Sequence, residues 1–326
     1  RCRASTFISP MKEMYTPMTT AHKSRVLDMT RGDPFRLVLQ FSLPLFCSNM
    51  LQQVYNLTDT ALAGHLLGSA ALAEIGATAA LYGLIMNFAF GMNNGLALTV
   101  SRCFGAGERE GIRRAVGWMV TLSAAVSIVL TTVSLLGRGA LLQVLQVPAE
   151  VWDGAAAYLT VILLGIPLTM LYNMEAALLR AVGNSVTPLL FLLFSSVLNV
   201  GLDAAFMGPL GMGVRGAAVA TVLAQGISAV LGAVYLVRSY PELHFTPAHL
   251  KKSARRAVMN MFWAGMSMGL MSAIYNLGSV ALQSSINALG SVYITAQTAA
   301  RRMAEMYFIP GGALGIGVAT FSSQNL

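Results

Sequence analysis

The chain has 326 residues, of which 56% are hydrophobic and only 10% are charged, and its mean hydropathy is +0.65. A soluble domain carries about 25% charged residues, so this composition excludes a soluble globular protein and indicates an integral membrane protein. The formal net charge is +8. The basic residues lie in short loops between apolar runs, which is typical of membrane topology and not of a nucleic-acid-binding surface.

The first 34 residues are polar and mixed. They have no apolar core segment of the kind a signal peptide needs. We expect residues 1–34 to form a cytoplasmic tail, of which residues 1–30 are loosely ordered. Apolar runs then follow one another, and a run of about 20 residues is enough to cross a bilayer. The eight predicted spans are 35–65, 71–101, 115–137, 154–181, 186–208, 213–238, 257–289 and 292–323.

The charges of the loops predict the orientation of these spans. Two basic residues, Arg138 and Arg215, lie in the loops on one side of the membrane. The loops on the other side, after the second, fourth and sixth spans, carry Arg102, Arg109, Arg113, Arg114, Arg180, Arg238, Lys251, Lys252, Arg255 and Arg256. Cytoplasmic loops are enriched in Lys and Arg. The sequence therefore predicts a cytoplasmic N-terminus.

Two acidic residues lie deep within these apolar runs. Asp59 is in the first span, and Asp203 is in the fifth. A charged side chain at the bilayer centre costs about 2.5–3.5 kcal/mol on insertion scales, so such residues face a protein interior or a water-filled cavity and usually mark an ion or proton path. The alternative for Asp59 is a solvated position at the outer end of its span.

Asn199 precedes Asp203 by four residues, so the two side chains share one helix face. Burial disfavours the charged form of a carboxyl group, which suits a residue that binds and releases H+. Amide and carboxylate oxygens also suit Na+. The alternative is a polar pair that holds two helices together.

Several other polar residues are candidates for hinge, cavity or structural roles. Pro44 removes a backbone donor inside the first span and predicts a hinge there. Gln52 and Asn173 are candidate cavity-lining amides, although each fits a structural role better. We expect Glu175 to form a structural ion pair with Arg180.

The eighth span contains Arg301, Arg302 and Glu305. Arg301 is four residues before Glu305, so the two can meet on one helix face. Their role is left open.

The sequence has no recognisable enzyme signature. It contains no Walker A loop, no GxSxG, no HExxH and no double-aspartate prenyl-phosphate motif. The histidines lie in the tail or in loops, so no metal cluster is expected within a span. We therefore predict neither enzymatic activity nor a cofactor.

Several short stretches resemble the multidrug and toxic compound extrusion (MATE) family. The sequence YNLTDT begins at Tyr55, and the small-residue segment GVRGAAVAT ends at Thr221. The other matching stretches are GAGEREGIRR at 105–114, LLRAVGNSVTP at 178–188 and LNVGLD at 198–203. Five modest motifs in this order are specific, and the resemblance covers residues 35–326.

The resemblance implies a twelve-span transporter built of two six-helix lobes, as in other transporters with internal repeats. The present chain would hold eight of the twelve spans. In these terms residues 35–238 form the N-lobe, 239–256 a basic cytoplasmic linker, and 257–326 the first two helices of the C-lobe. A C-terminally truncated member of the family is therefore expected.

In the prokaryotic DinF-like branch, the resemblance implies that a cation site is lined by Asp59, Asn199, Asp203 and Thr221, with the hinge at Pro44. The implied activity is export of cationic or amphiphilic compounds in exchange for H+ or Na+. The seventh span carries no acidic residue, which argues against the branch that has an essential acid there.

Two alternatives remain open. One is a flippase for lipid-linked or polysaccharide precursors in the same superfamily, which Arg301 and Arg302 would favour. The other is a non-transporting membrane fragment. We expect a monomer in a prokaryotic plasma membrane, with no nucleic-acid partner. The substrate and the choice between H+ and Na+ are not predicted.

Overall fold

The computed structural model describes the backbone of residues 26–145, 147–251, 254–287 and 291–326. Within these ranges the chain is helical, and no strand is present. The helices are α1 (Pro34–Leu67), α2 (Ser69–Gly105), α3 (Arg109–Leu136), α4 (Arg138–Val144), α5 (Trp152–Ala181), α6 (Val186–Met207), α7 (Gly213–Ser239), α8 (Pro247–Lys251), α9 (Arg255–Asn287) and α10 (Ser291–Asn325), with short 3₁₀ turns at Ala149–Val151 and Pro241–Leu243.

Local sequence signals set both ends of α1. The Asp33 side chain caps its first turn by accepting a 2.9 Å hydrogen bond from the backbone N–H of Arg36, and Pro34 occupies the first turn, where no N–H donor is needed. The helix ends at Gly68, whose φ of 85° favours glycine. It runs without interruption through Pro44.

Helices α1, α2, α3, α5, α6 and α7 pack into a bundle. Helix α5 lies against α2, α3 and α7, while α6 packs between α1 and α7. Long apolar side chains such as Met92, Leu159 and Leu163 fill the main core. This arrangement places α6, with its acid, in contact with two helices that carry polar residues.

Helices α9 and α10 pack against the bundle from outside. Helix α9 follows α2 closely, because α2 presents glycines there: a Cβ at Gly91 would lie 2.5 Å from the carbonyl oxygen of Met268, and one at Gly95 2.6 Å from that of Ala264. Helix α10 packs against α1 and α2.

The prediction of an all-helical, multi-pass membrane protein is confirmed. Each of the eight predicted spans coincides with a long helix, from α1–α3 and α5–α7 to α9 and α10. By length and apolarity, five helices in the described part of the chain can cross a membrane, or six if the two bent segments of α2 count as one span. Helix α1 falls short of this measure because polar residues such as Gln52, Gln53 and Asp59 interrupt its apolar sequence.

Candidate cation site

The four predicted cation-site residues lie on three adjacent helices. Asp59 is on α1, Asn199 and Asp203 are on α6, and Thr221 is on α7. Asp203 has no exposed surface, Asn199 is 1% exposed and Thr221 is 6% exposed, whereas Asp59 is half-buried. The structure thus brings the four together in the bundle interior, while their role in binding remains a prediction.

The side chains of this cluster contact one another in two pairs. The carboxyl groups of Asp59 and Asp203 lie within hydrogen-bonding reach of each other. Asn199 Nδ2 donates to Thr221 Oγ1 over 3.5 Å, a long hydrogen bond, and the Thr221 hydroxyl donates to the backbone carbonyl of Ala217 at 3.0 Å. The cluster therefore joins α1, α6 and α7 through side chains alone.

The cluster has too few hydrogen-bond donors for its acceptors. Both carboxyl oxygens of Asp203, one of Asp59 and the amide oxygen of Asn199 are buried without a hydrogen-bond partner among the described residues. Two ionised carboxylates are acceptors only, so neither can satisfy the other. Burying such groups unpaired is costly. A proton or another cation between the two carboxyl groups would supply the missing positive charge.

A tyrosine and a neighbouring polar pocket extend the cluster, and sequence reasoning missed both. The Tyr55 hydroxyl interacts with Thr221. Thr221 also lines a cavity of about 10 Å³ with Thr169 and Gln225, and Thr169 Oγ1 donates to Gln225 Oε1 at 2.5 Å. Tyr55 is four residues before Asp59, and Gln225 is four after Thr221. The helical spacing that paired Asn199 with Asp203 would have found both.

The remaining predicted site residues have simpler surroundings. Pro44 lies within the continuous α1, and its carbonyl accepts a 2.9 Å hydrogen bond from Ser48 Oγ. Gln52 is exposed and donates to Asn56 at 3.4 Å. Asn173 is half-buried and donates to the carbonyl of Thr169 at 2.9 Å. No described hydrogen bond links these three directly to the four cation-site residues, so their hinge and cavity roles stay predictions.

The predicted ion pair between Glu175 and Arg180 is wrong. Ion pairs shorter than 4.0 Å in the described part of the chain are Arg113–Glu110 and His249–Glu110. The two residues are five apart on α5, which sets them on different helix faces. Glu175 faces Gly232 on α7, and Arg180 bonds to Asn94 on α2.

The side chains of Arg301, Arg302 and Glu305 lie outside the described residues, as do residues 1–25 of the predicted tail. Among the described residues, no group of three or more His, Cys, Asp or Glu side chains is arranged to hold a metal ion. The cluster around Asp203 offers carboxylate and amide oxygens, which are hard ligands and suit hard cations.

Taken together, these features define a polytopic helical membrane protein with a buried acid pair inside a helix bundle. The family model described as MatE matches residues 44–205, a segment that includes Asp59, Asn199 and Asp203. The chain belongs to the MATE family.

Two relatives from Bacillus subtilis cover nearly the whole chain. The probable multidrug resistance protein YpnP is 28% identical over 302 residues, which are 93% of this chain and 67% of that protein. The probable multidrug resistance protein YoeA is 26% identical over 322 residues, 97% of this chain and 68% of that protein.

Solved structures give the same result for the fold. A MOP superfamily transporter from Pyrococcus furiosus has a TM-score of 0.81 and 25% identity, covering 91% of this chain and 66% of that one. A MATE protein crystallised in complex with MaD3S has a TM-score of 0.81 and 25% identity, covering 91% and 67%. The chain thus spans about two thirds of the length of the proteins it matches.

Proposed function

We propose that this protein is a secondary active transporter that exports cationic or amphiphilic compounds in exchange for H+ or Na+. One observation carries the proposal: four buried oxygen atoms, on Asp59, Asn199 and Asp203, have no hydrogen-bond donor among the described residues. Such a cluster is stable only when a cation binds to it. Because its side chains come from α1, α6 and α7, binding and release of the cation change the contacts between these three helices. The B. subtilis relatives carry the name multidrug resistance protein, which supports the drug-export half of the proposal.

The cation would act on the substrate through α1. The part of α1 around Pro44 is held by α10, because Phe41 and Leu45, on either side of the proline, form a small core with Ala313. Residues after Pro44 carry Asp59 into the cation site. Pro44 leaves α1 without one backbone hydrogen bond at the junction of these two parts. We therefore propose that cation binding moves the later part of α1 against a fixed earlier part.

The proposed movement would change the space inside the bundle. The cavity lined by Thr221 and Gln225 has a volume of about 10 Å³, whereas drug-sized ligands need pockets of roughly 300–1,000 Å³. We propose that the structure represents the state after substrate has left. The orientation that fits this cycle has the N-terminus in the cytoplasm of a prokaryotic cell, as the loop charges predict. Assignment to the DinF-like branch and action as a monomer are part of the same proposal.

The experiment that tests the proposal is gradient-driven efflux in vesicles with a full-length version of the protein. Asp203→Asn and Asp59→Asn keep the side-chain volume but remove the exchangeable charge. We expect each to reduce efflux to the background of vesicles without the protein. Glu150→Gln, which changes an exposed acid in a loop, is the matched control and should transport normally. Normal efflux by both Asp variants, at equal membrane abundance, would refute the mechanism.

The same vesicles identify the coupling ion. A pH gradient without Na+ and a Na+ gradient at equal pH are imposed separately. Efflux under only one of the two conditions assigns the ion. Transport that needs neither gradient would contradict the proposal of antiport, even if Asp203 proved essential.

A further inference from the structure

Arg180 is a buried cation at the end of α5, away from the cation site. Its side chain is 7% exposed. One guanidinium nitrogen, Nη2, donates to Asn94 Oδ1 at 3.1 Å, and the guanidinium carbon lies 5.6 Å from the centre of the Phe90 ring. The Nε–H is buried without a hydrogen-bond partner, and no described carboxylate lies within 4.0 Å. The positive charge thus has only neutral neighbours among the described residues.

Arg180 borders a cavity of about 30 Å³ where the bundle meets α9 and α10. This volume is enough to hold about two water molecules. The polar residues that line it are Asn94, Ser101, Arg180 and Thr320, and the other walls are apolar. We call it the Arg180 cavity.

The polar groups at the Arg180 cavity favour negative charge. A guanidinium remains charged in proteins and offers five donors, so its positive charge persists here. The Ser101 hydroxyl donates to the carbonyl of Thr320 over 3.4 Å, which is long for an O–H donor. Because a hydroxyl rotates freely, it can donate into the cavity at little cost. No acidic side chain is among the described residues that line the cavity.

We propose that the Arg180 cavity binds one small inorganic anion of the size of chloride. A buried charge without a counter-ion is strongly destabilising, and an anion beside Nε would relieve it. The cavity is too small for a drug carboxylate or a lipid phosphate group, since drug-sized ligands need roughly 300 Å³ or more. Because α2 and α5 form one wall and α9 and α10 the other, the anion stabilises the packing of these two parts against each other.

The test is the thermal unfolding of the purified full-length protein in sodium chloride and in sodium gluconate, at equal Na+ and equal ionic strength. Gluconate is too large for the cavity. We expect the unfolding midpoint to rise with chloride concentration and then to saturate, as linkage to a single site requires. Bromide should replace chloride. An unfolding midpoint that is the same in chloride and gluconate at every concentration would overturn the proposal.

Variants locate the effect. Arg180→Gln should abolish the difference between chloride and gluconate. Arg138→Gln is the matched control, since Arg138 donates to Thr160 elsewhere in the protein, and it should keep the full difference. Ala97→Val fills part of the Arg180 cavity and leaves the charge in place, and it should also abolish the difference. If Arg180→Gln does not fold, the chloride dependence of unfolding in Ala97→Val alone tests the proposal. A chloride effect that survives Ala97→Val would show that chloride acts elsewhere on the protein.

Discussion

The cation site and the Arg180 cavity are two buried polar regions that lack opposite kinds of hydrogen-bond partner. At the cation site, oxygen acceptors of Asp59, Asn199 and Asp203 have no donor in the part of the chain that the structure describes. At the Arg180 cavity, the Nε–H donor of the guanidinium has no acceptor among those same described residues. Both regions lie in a helical membrane protein, where water cannot easily supply the missing partner.

The partner that a buried polar site lacks indicates the charge of the ligand that it binds. In a low-dielectric interior an unpaired polar group is expensive, and the ligand that removes this cost has the opposite character. A site that has only acceptors favours binding of H+ or Na+, and a site with an unpaired donor favours binding of an anion. The cation site is built on α1, α6 and α7, and the Arg180 cavity is built on α2, α5, α9 and α10. Because the two regions share no helix, we expect mutations in them to act almost additively.

The largest effect on stability is expected where α2 meets α10, beside the Arg180 cavity. A Cβ at Gly105 would collide with the backbone of Gln324. Gly105→Ala must therefore push α10 away, and overpacking of this kind costs about 1–3 kcal/mol or more. The protein should also lose affinity for chloride, because one wall of the cavity moves. Chemical denaturation of the purified protein measures both effects.

Gly83→Ala is the control for this prediction. Gly83 lies in the same helix, and a Cβ there would meet nothing within 4 Å. Alanine in a helix interior is better than glycine by roughly 0.5–1 kcal/mol, so this variant should be slightly more stable than the wild type. If Gly105→Ala were as stable as Gly83→Ala, the close packing of α2 on α10 would be refuted.

A smaller effect of opposite sign is expected at the cation site. Asp203→Asn replaces an acceptor with a group of the same shape that carries a donor for Asp59. In buffer low in both H+ and Na+, we expect the variant to be more stable than the wild type by about 1.5 kcal/mol, the lower end of the range for a hydrogen bond to a charged group. Adding the coupling cation should stabilise the wild type and leave the variant unchanged.

Thermal unfolding with increasing Na+, and separately with decreasing pH, measures this difference. Glu150→Gln should follow the wild type in both series. A variant that lost stability under all conditions would mean that Asp203 has a donor in solution that the structure does not contain, and the deficit at the cation site would not exist.

The sequence predicted most of the fold because apolar runs and loop charges act locally. The predicted fifth span, 186–208, differs from α6 by a single residue, and Asn199 with Asp203 followed from helical spacing alone. The first span is less apolar than the others, because polar residues such as Gln52, Gln53 and Asp59 interrupt it.

Contacts between helices that are distant in the chain could not be predicted from the sequence. Arg180 was assigned to Glu175, five residues away, whereas its partner Asn94 is 86 residues earlier in the chain. Nothing in the spacing of α2 reveals which of its faces meets α5. The Arg180 cavity depends on four helices packing together, so no pattern in the sequence predicted it. The sequence also did not predict the interaction of Tyr82 on α2 with Gln225 on α7, beside the cation site.

The smallest effect is expected at Thr221, whose hydroxyl accepts the long hydrogen bond from Asn199 Nδ2. A bond of this length contributes little, so Thr221→Val should cost about 1 kcal/mol in stability and weaken cation binding roughly fivefold. Thr221→Ser keeps the hydroxyl and is the control that should behave like the wild type. Efflux measured at several cation concentrations separates weaker binding from lost coupling. Because Thr221 carries no charge, saturating cation should restore transport in Thr221→Val, whereas it should not restore transport in Asp203→Asn. If Thr221→Val instead abolished transport at all cation concentrations, the carboxyl pair alone would not account for coupling, and the hydroxyl would have to be counted among the groups that hold the cation.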